Sequence, residues 1–105
     1  MDYKFLKVEV LIPEEYVIEL ANELNEHGFL QEGNYDYAFN TSRVMGHWRP
    51  LEGANPHDGE IGVVSQEEEI KVEFRIDATM REEVHRIIGR IHPYEVPVIN
   101  FLPLV

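Results

Sequence analysis

The sequence KVEVLI occupies residues 7–12, and a near copy, KVEFRI, occupies residues 71–76. Each copy alternates apolar and polar residues, which is the period of a β-strand with one buried face. Each copy is followed by a segment with helical spacing and then by an extended segment. This internal repeat predicts two strand–helix–strand halves.

The inner faces of the two repeated strands are apolar. In the second copy they alternate with charged residues, and the inner positions are Ile70, Val72, Phe74 and Ile76. In the first copy the inner positions are Leu6, Val8, Val10 and Ile12. Phe5 and Leu11 lie on the opposite face of that strand, so we expect part of its outer face to be covered.

One helix is predicted after each repeated strand. The first starts at Pro13 and ends at Gly28, which suits a left-handed C-terminal position. The second starts with a capping box over residues 79–82 and stops before Pro93. Their apolar stripes are Val17, Leu20, Ala21 and Leu24 in the first helix, and Val84, Ile87, Ile88 and Ile91 in the second.

Two further strands complete the prediction. Residues 35–40 alternate with an aromatic face, which indicates a third strand. The fourth runs from Glu95 to about Leu104, and the spacing of Pro97 and Pro103 is typical of an edge strand. Apolar residues occupy both of its faces, so we expect another subunit to cover it.

These elements predict an α+β fold, namely a ferredoxin-like βαββαβ sandwich. Its four-stranded antiparallel sheet would carry both helices on one face, and a single domain would span residues 1–105. The other face of the sheet is left uncovered. We therefore expect the protein to self-associate through that face.

Charge and composition exclude several classes of partner. The chain holds 20 acidic and 9 basic residues, for a net charge of −11, so nucleic acid and anionic membrane surfaces are not expected to bind. It has no cysteine, which excludes disulfides and thiolate metal sites. Its start lacks an apolar run behind basic residues, and we expect a cytoplasmic protein.

Four sequence blocks resemble a known domain family. They are GNY (33–35), WRPLEGANP (48–56), GEIG (59–62) and HPYEVP (92–97). Together they resemble the YqfO-type domain, a PII-like and CutA-like module that occurs inserted in many bacterial NIF-three-like proteins and also encoded alone. We expect this chain to represent the stand-alone form. The last block is shared with CutA proteins.

The resemblance implies a PII/CutA-like homotrimer with clefts between its subunits. PII and CutA relatives use such clefts for small ligands or metal ions. NIF-three-like proteins carry a dinuclear metal site on the two segments that flank this module. Those segments lie outside these 105 residues, so neither their metal ligands nor a hydrolase activity is carried over.

The glycine-rich stretch 48–62 is the first candidate site. Its ligand-binding candidates are Arg49, Glu52, Gly53, Asn55 and Glu60. The backbone N–H groups of the loop and the Arg49 guanidinium can hold an anionic ligand. Its acids and His57 suit a divalent ion. In the alternative interpretation, the glycines only supply turn geometry and the stretch serves assembly.

The HPYE motif at residues 92–95 is the second candidate site. Tyr94 and Glu95 are predicted ligand contacts, and His92 joins His57 as a predicted metal ligand because a neutral imidazole beside a carboxylate can bind a metal. In the alternative interpretation, Pro93 ends the helix, His92 caps its last carbonyls and Tyr94 anchors the following turn.

The sequence offers little support for catalysis. It contains no Gly-Lys-Ser/Thr phosphate loop, and Ser42 and Ser65 lack a nucleophile elbow. The acidic run 67–69 is interpreted as the solvated start of a strand. We predict a non-enzymatic protein with no catalytic residues.

Three functional hypotheses remain. The first is a PII-like trimer that binds a small ligand or signals through protein contacts at its intersubunit clefts. The second is a CutA-like protein that binds a divalent metal ion. The third is a structural interaction module for a NIF-three-like partner. The sequence does not identify the cofactor or the ligand.

Overall fold

A computed structural model describes residues 3–105 of the chain. It contains four strands, two α-helices and two short 3₁₀ turns, at Glu14–Tyr16 and Ala78–Met80. The strands and helices are β1 (Phe5–Ile12), α1 (Val17–Glu26), β2 (Asn40–Trp48), β3 (Ser65–Asp77), α2 (Arg81–Ile91) and β4 (Val98–Leu104). Within this described part of the chain, neither helix is long and apolar enough to cross a bilayer.

The sheet has the strand order β2-β3-β1-β4, and every neighbouring pair is antiparallel. The two copies of the repeat form its central pair, with Val8 opposite Phe74. The inner residues of that pair and the apolar stripes of both helices form one core cluster. The predicted ferredoxin-like α+β fold is therefore confirmed.

Both predicted apolar stripes are buried in the core. Val8, Val10 and Ile12 are completely buried, as are Leu20 and Leu24 of α1 and Val84, Ile87 and Ile88 of α2. Each such side chain contributes about 1.5–3 kcal/mol relative to an exposed one. Burial of these side chains holds the helices against one face of the sheet and leaves the other face, here called the outer face, without a layer of helices.

The predicted capping box at residues 79–82 is wrong. The side chain of Asp77 instead accepts hydrogen bonds from the backbone N–H of Thr79 at 2.9 Å and from its hydroxyl at 2.7 Å. Asp77 ends β3 in an extended conformation, which is the conformation that an N-cap requires. The cap therefore opens the 3₁₀ turn before α2. By contrast, α1 ends as predicted, because Gly28 has φ +79°.

The predicted strand over residues 35–40 is also wrong, because β2 begins only at Asn40. Tyr37 has φ +48°, its backbone N–H donates to Asn25 Oδ1 and its hydroxyl donates to Asn22 Oδ1. Side chains of α1 thus take the hydrogen bonds that a neighbouring strand would take. The alternating aromatics do not form a buried face, since Tyr35 is 78% exposed.

The fourth strand begins three residues later than predicted, at Val98. It pairs only with β1, which confirms that it is an edge strand. Ile99 and Phe101 pack against the core, whereas Val98, Leu102 and Leu104 lie exposed on the outer face.

Candidate functional site

A cavity of about 400 Å³ opens at one end of the outer face. Its lining comes from the ends of β1 and β2, the start of β3, the loop over residues 49–64, and residues 94–98, which lead into β4. Most of its lining is apolar. The apolar lining residues are Leu11, Trp48, Pro50, Leu51, Ala54, Pro56, Val96 and Val98.

Glu69 is the buried acid of this cavity. Its side chain points to the outer face of β3, yet the residue is only 5% exposed. Burial raises the pKa of the Glu69 carboxyl, and the nearby Tyr94 hydroxyl opposes that shift. The pKa of Tyr94 is raised in turn, first by burial and then by the charge of Glu69. The sequence interpretation of Glu69 as a solvated residue is therefore wrong.

Gly46 makes the position of Glu69 possible. It lies on β2 next to β3, and a Cβ atom built at Gly46 would overlap the Glu69 carboxylate. The missing side chain thus leaves the space in which the acid sits. The sequence analysis did not single out Gly46; the signal was a glycine inside a strand, which often marks a close approach of another group.

Tyr94 is also the centre of an aromatic wall, defined here as Trp48, Tyr94 and His57. The ring centroid of Tyr94 lies 5.7 Å from that of Trp48 and 6.0 Å from that of His57. All three residues line the cavity. The ring of His92 lies behind the wall, with its centroid 4.9 Å from that of Tyr94.

His92 fixes the segment that carries Tyr94. Its Nε2 lies 2.5 Å from the carbonyl oxygen of Leu11, and the backbone N–H of Tyr94 donates to its Nδ1 at 3.2 Å. Since a carbonyl only accepts, Nε2 carries the proton and the ring is neutral. Burial lowers the pKa of His92. His92 is the C-cap residue of α2, as predicted, but it caps through its backbone N–H, which donates to the Ile88 carbonyl at 2.8 Å, while the ring bonds to β1.

The loop over residues 49–64 folds back over the cavity. Gly53, Gly59 and Gly62 have φ values of +98°, +96° and +81°, so they supply turn geometry as one interpretation predicted. The backbone N–H of Asn55 donates to Glu95 Oε2 at 3.0 Å, which ties the loop to the segment after α2. The two candidate stretches of the sequence therefore form one site.

The predicted site residues divide into two groups. Arg49, His57, Tyr94 and Glu95 line the cavity, and Arg49 does so as an exposed side chain at its rim. Asn55 contributes its backbone to the tie with Glu95. The remaining four do not line the cavity: Glu52, Gly53 and Glu60 are exposed on the loop, and His92 is buried next to Tyr94.

The residues of one chain do not fit a metal ion. Within residues 3–105, no three His, Asp or Glu side chains come together as a metal-binding group. Both ring nitrogens of His92 are occupied by hydrogen bonds. His57 has only Asp58 nearby, with 3.9 Å between Nε2 and Oδ2. A metal centre would need ligands from a second copy.

Known proteins resemble this chain in sequence and in fold. The chain is 38% identical over 100 residues to a Staphylococcus aureus protein named GTP cyclohydrolase 1 type 2 homolog; the match covers 95% of this chain and 27% of that protein. A Bacillus cereus protein related to NIF3 superimposes with a TM-score of 0.82 at 27% identity, over 97% of this chain and 26% of the other.

CutA structures share the fold at lower identity. CutA1 from Shewanella sp. SIB1 has a TM-score of 0.76 at 15% identity and covers 100% of this chain and 85% of its own. No protein-family model matches the chain. By its fold, this is a CutA-like domain. More particularly, it is a domain similar to the one within NIF3-related proteins, and it spans about a quarter of their length.

Proposed function

We propose that this domain is a non-enzymatic, PII-like protein that holds a small ligand in the cavity beside Glu69 and Tyr94. The cavity itself carries the proposal. It is a preformed space with mainly apolar walls and a few convergent polar groups, which is the usual composition of a small-molecule site. The tie between Asn55 and Glu95 supports it, because that bond keeps the loop in place over the cavity.

We further propose that the cavity lies at a seam between copies in a homotrimer. The outer face exposes Val98, Leu102 and Leu104, and the far edge of β4 is unpaired. Exposed apolar residues beside a free edge favour association. Val98 lines the cavity and also belongs to this exposed patch, so a neighbouring copy on the patch would border the ligand.

Calorimetric titration tests the ligand proposal. The panel contains organic amines, carboxylates, nucleotides and divalent ions, and the proposal predicts saturable binding of one class that Trp48→Ala abolishes. The control is Tyr35→Ala, which removes an exposed aromatic far from the cavity lining. Heat from no class, or heat that Trp48→Ala leaves unchanged, would overturn the proposal.

The name of the Staphylococcus aureus relative raises the question of an activity on GTP. We propose that any such activity depends on the parts of that protein that this chain does not match. Incubation with GTP should therefore leave the nucleotide intact by chromatography. Turnover that persists in independently purified preparations and is lost in Glu69→Gln would contradict a non-enzymatic function.

A CutA-like divalent metal site is a second proposal, favoured by the pairing of His57 with Asp58 at the cavity. It requires further ligands from a neighbouring copy. Metal analysis of the purified protein, with His57→Ala and His92→Ala for comparison, tests it. Negligible metal, or a metal content that neither substitution changes, would exclude this site.

A structural interaction module is the third proposal, favoured by the match to one segment of longer proteins. The partner would be a polypeptide similar to the rest of a NIF3-related protein. Such a partner should co-purify with the domain, and Leu102→Glu on the exposed outer face should release it. Co-purification that this substitution leaves intact would place the contact elsewhere.

A further inference from the structure

We infer that the cavity selects a small organic cation, with its ammonium group against Glu69 and its apolar part along the aromatic wall. This inference rests on the proposed function, because it names the class of ligand for the same cavity.

Glu69 is a buried acid without a countercharge. Glu69 is 5% exposed and lines the cavity. No basic side chain of the described residues balances its charge. Buried charges in proteins are normally paired. A cationic ligand would supply the missing partner, whereas an anionic ligand would place a second negative group beside the first.

The aromatic wall also favours a cationic ligand. The rings of Trp48, Tyr94 and His57 follow one another along the cavity with centroid separations of 5.7 and 6.0 Å. Aromatic faces attract cations, and desolvated ammonium groups gain the most from them. Tyr94 of the wall and Glu69 line the same cavity, so both attractive elements act on one ligand.

The distribution of charge around the cavity favours the same class. Asp58 and Glu95 add acidic groups to the lining, and the whole chain has a net charge of −11. Such a field concentrates cations near the opening. Arg49 is the one guanidinium of the lining, and it is exposed at the rim rather than beside Glu69. The inner end of the cavity is therefore acidic.

Three matched probes test the inference: n-butylammonium, 1-butanol and butyrate. They share a four-carbon chain and differ in the charge of the end group. Trp48 is the only tryptophan, so its emission reports on the cavity. At pH 8 and low salt we expect n-butylammonium to bind at least about tenfold more tightly than either other probe.

Two charge-neutralising variants sharpen the test. Glu69→Gln should weaken n-butylammonium by about tenfold and leave 1-butanol unchanged. Glu68→Gln removes the same charge one residue away, where the side chain is exposed and outside the lining, and should change neither affinity. If Glu69→Gln does not fold, the ranking of the three probes on the unaltered chain still decides the question.

The outcomes separate this inference from the proposed function. Tighter binding of butyrate or 1-butanol than of n-butylammonium would overturn the cation inference while leaving the cavity a ligand site. An equal loss of n-butylammonium affinity in Glu69→Gln and Glu68→Gln would mean that the negative charge of the protein attracts the probe without a specific contact. That result would also overturn the cation inference. If no probe changes the Trp48 emission and calorimetry detects no binding of any compound in the panel, the proposed ligand site itself is excluded.

Discussion

Glu69 is the residue on which the site depends. Its buried carboxyl also makes the stability of the fold depend on pH. Its pKa is raised above the ordinary value of 4.5 by burial. A raised pKa means that the folded state binds the proton more tightly than the unfolded state. The folded state therefore loses stability as the pH rises from about 4.5 through the raised pKa of Glu69.

Glu69→Gln should abolish that pH dependence. The variant should gain stability relative to the unaltered protein between pH 4.5 and neutral pH, as measured by urea unfolding. The reason is that glutamine carries no charge to bury. Glu68→Gln is the matched control because its side chain is exposed. A stability difference that does not change with pH would contradict the burial of a titrating acid at residue 69.

Gly46→Ala tests the space that holds this acid. The added methyl group overlaps the Glu69 carboxylate and forces it to move. We expect a loss of about 1 kcal/mol, which lowers the melting temperature by roughly 4–8 °C in a domain of this size. Gly89→Ala is the control: its Cβ meets nothing within 4 Å in helix α2, so we expect a gain of up to about 1 kcal/mol. Equal effects of the two substitutions would contradict the close approach.

At the scale of elements, the link between α2 and β1 depends on a neutral histidine. His92 is 6% exposed and bonds to Leu11 and Tyr94. Its pKa is lowered from 6.5, so its contribution to stability is complete above pH 6.5 and is lost as the pH falls through the lowered pKa. Protonation of Nδ1 would remove the acceptor for the Tyr94 N–H.

His92→Ala should therefore destabilise the protein by about 2–3 kcal/mol at pH 7.5 and reduce the dependence of stability on pH below 6.5. Urea unfolding at pH 7.5 and pH 5.5 measures both effects. His85→Ala on the same helix is exposed, so we expect it to change stability by no more than about 0.5 kcal/mol. An unchanged pH profile in His92→Ala would contradict the neutral link.

The sequence predicts best those elements that bury one complete face. Alternation located β1 and β3 because their inner residues meet the core directly. It missed β2, in which every residue is exposed or half-buried, so that the strand carries no apolar period. The aromatic alternation at residues 35–40 imitated a strand, although side chains of α1 hold that segment in a loop.

The candidate site was only half predictable for a similar reason. The glycine-rich loop and the HPYE motif carry recognisable residue types. The placement of Glu69 beside Gly46 depends instead on the register between β2 and β3, and the cavity brings it together with Tyr94, 25 positions away in the chain. Register and long-range contact are properties of the sheet, which no local pattern in the sequence encodes.

At the scale of the whole molecule, the outer face is the surface through which we propose that copies of the chain associate. Leu102→Glu places a charge among its exposed apolar residues and should convert the proposed trimer to smaller species. Light scattering should give about three times the 12.3 kDa chain mass before the change. Ile18→Glu alters an exposed residue of α1 and should leave the mass unchanged. A monomer mass for the unaltered chain would contradict the assembly.

The central claim is that the cavity beside Glu69 and Tyr94 takes a ligand, and residue-resolved NMR on the intact chain tests it most directly. Addition of n-butylammonium should shift the amide signals of Gly46, Trp48, Glu69 and Tyr94 and leave those of α1 in place. Amide shifts confined to other surfaces would contradict this claim. So would the absence of any shift at n-butylammonium concentrations that saturate the change in Trp48 emission.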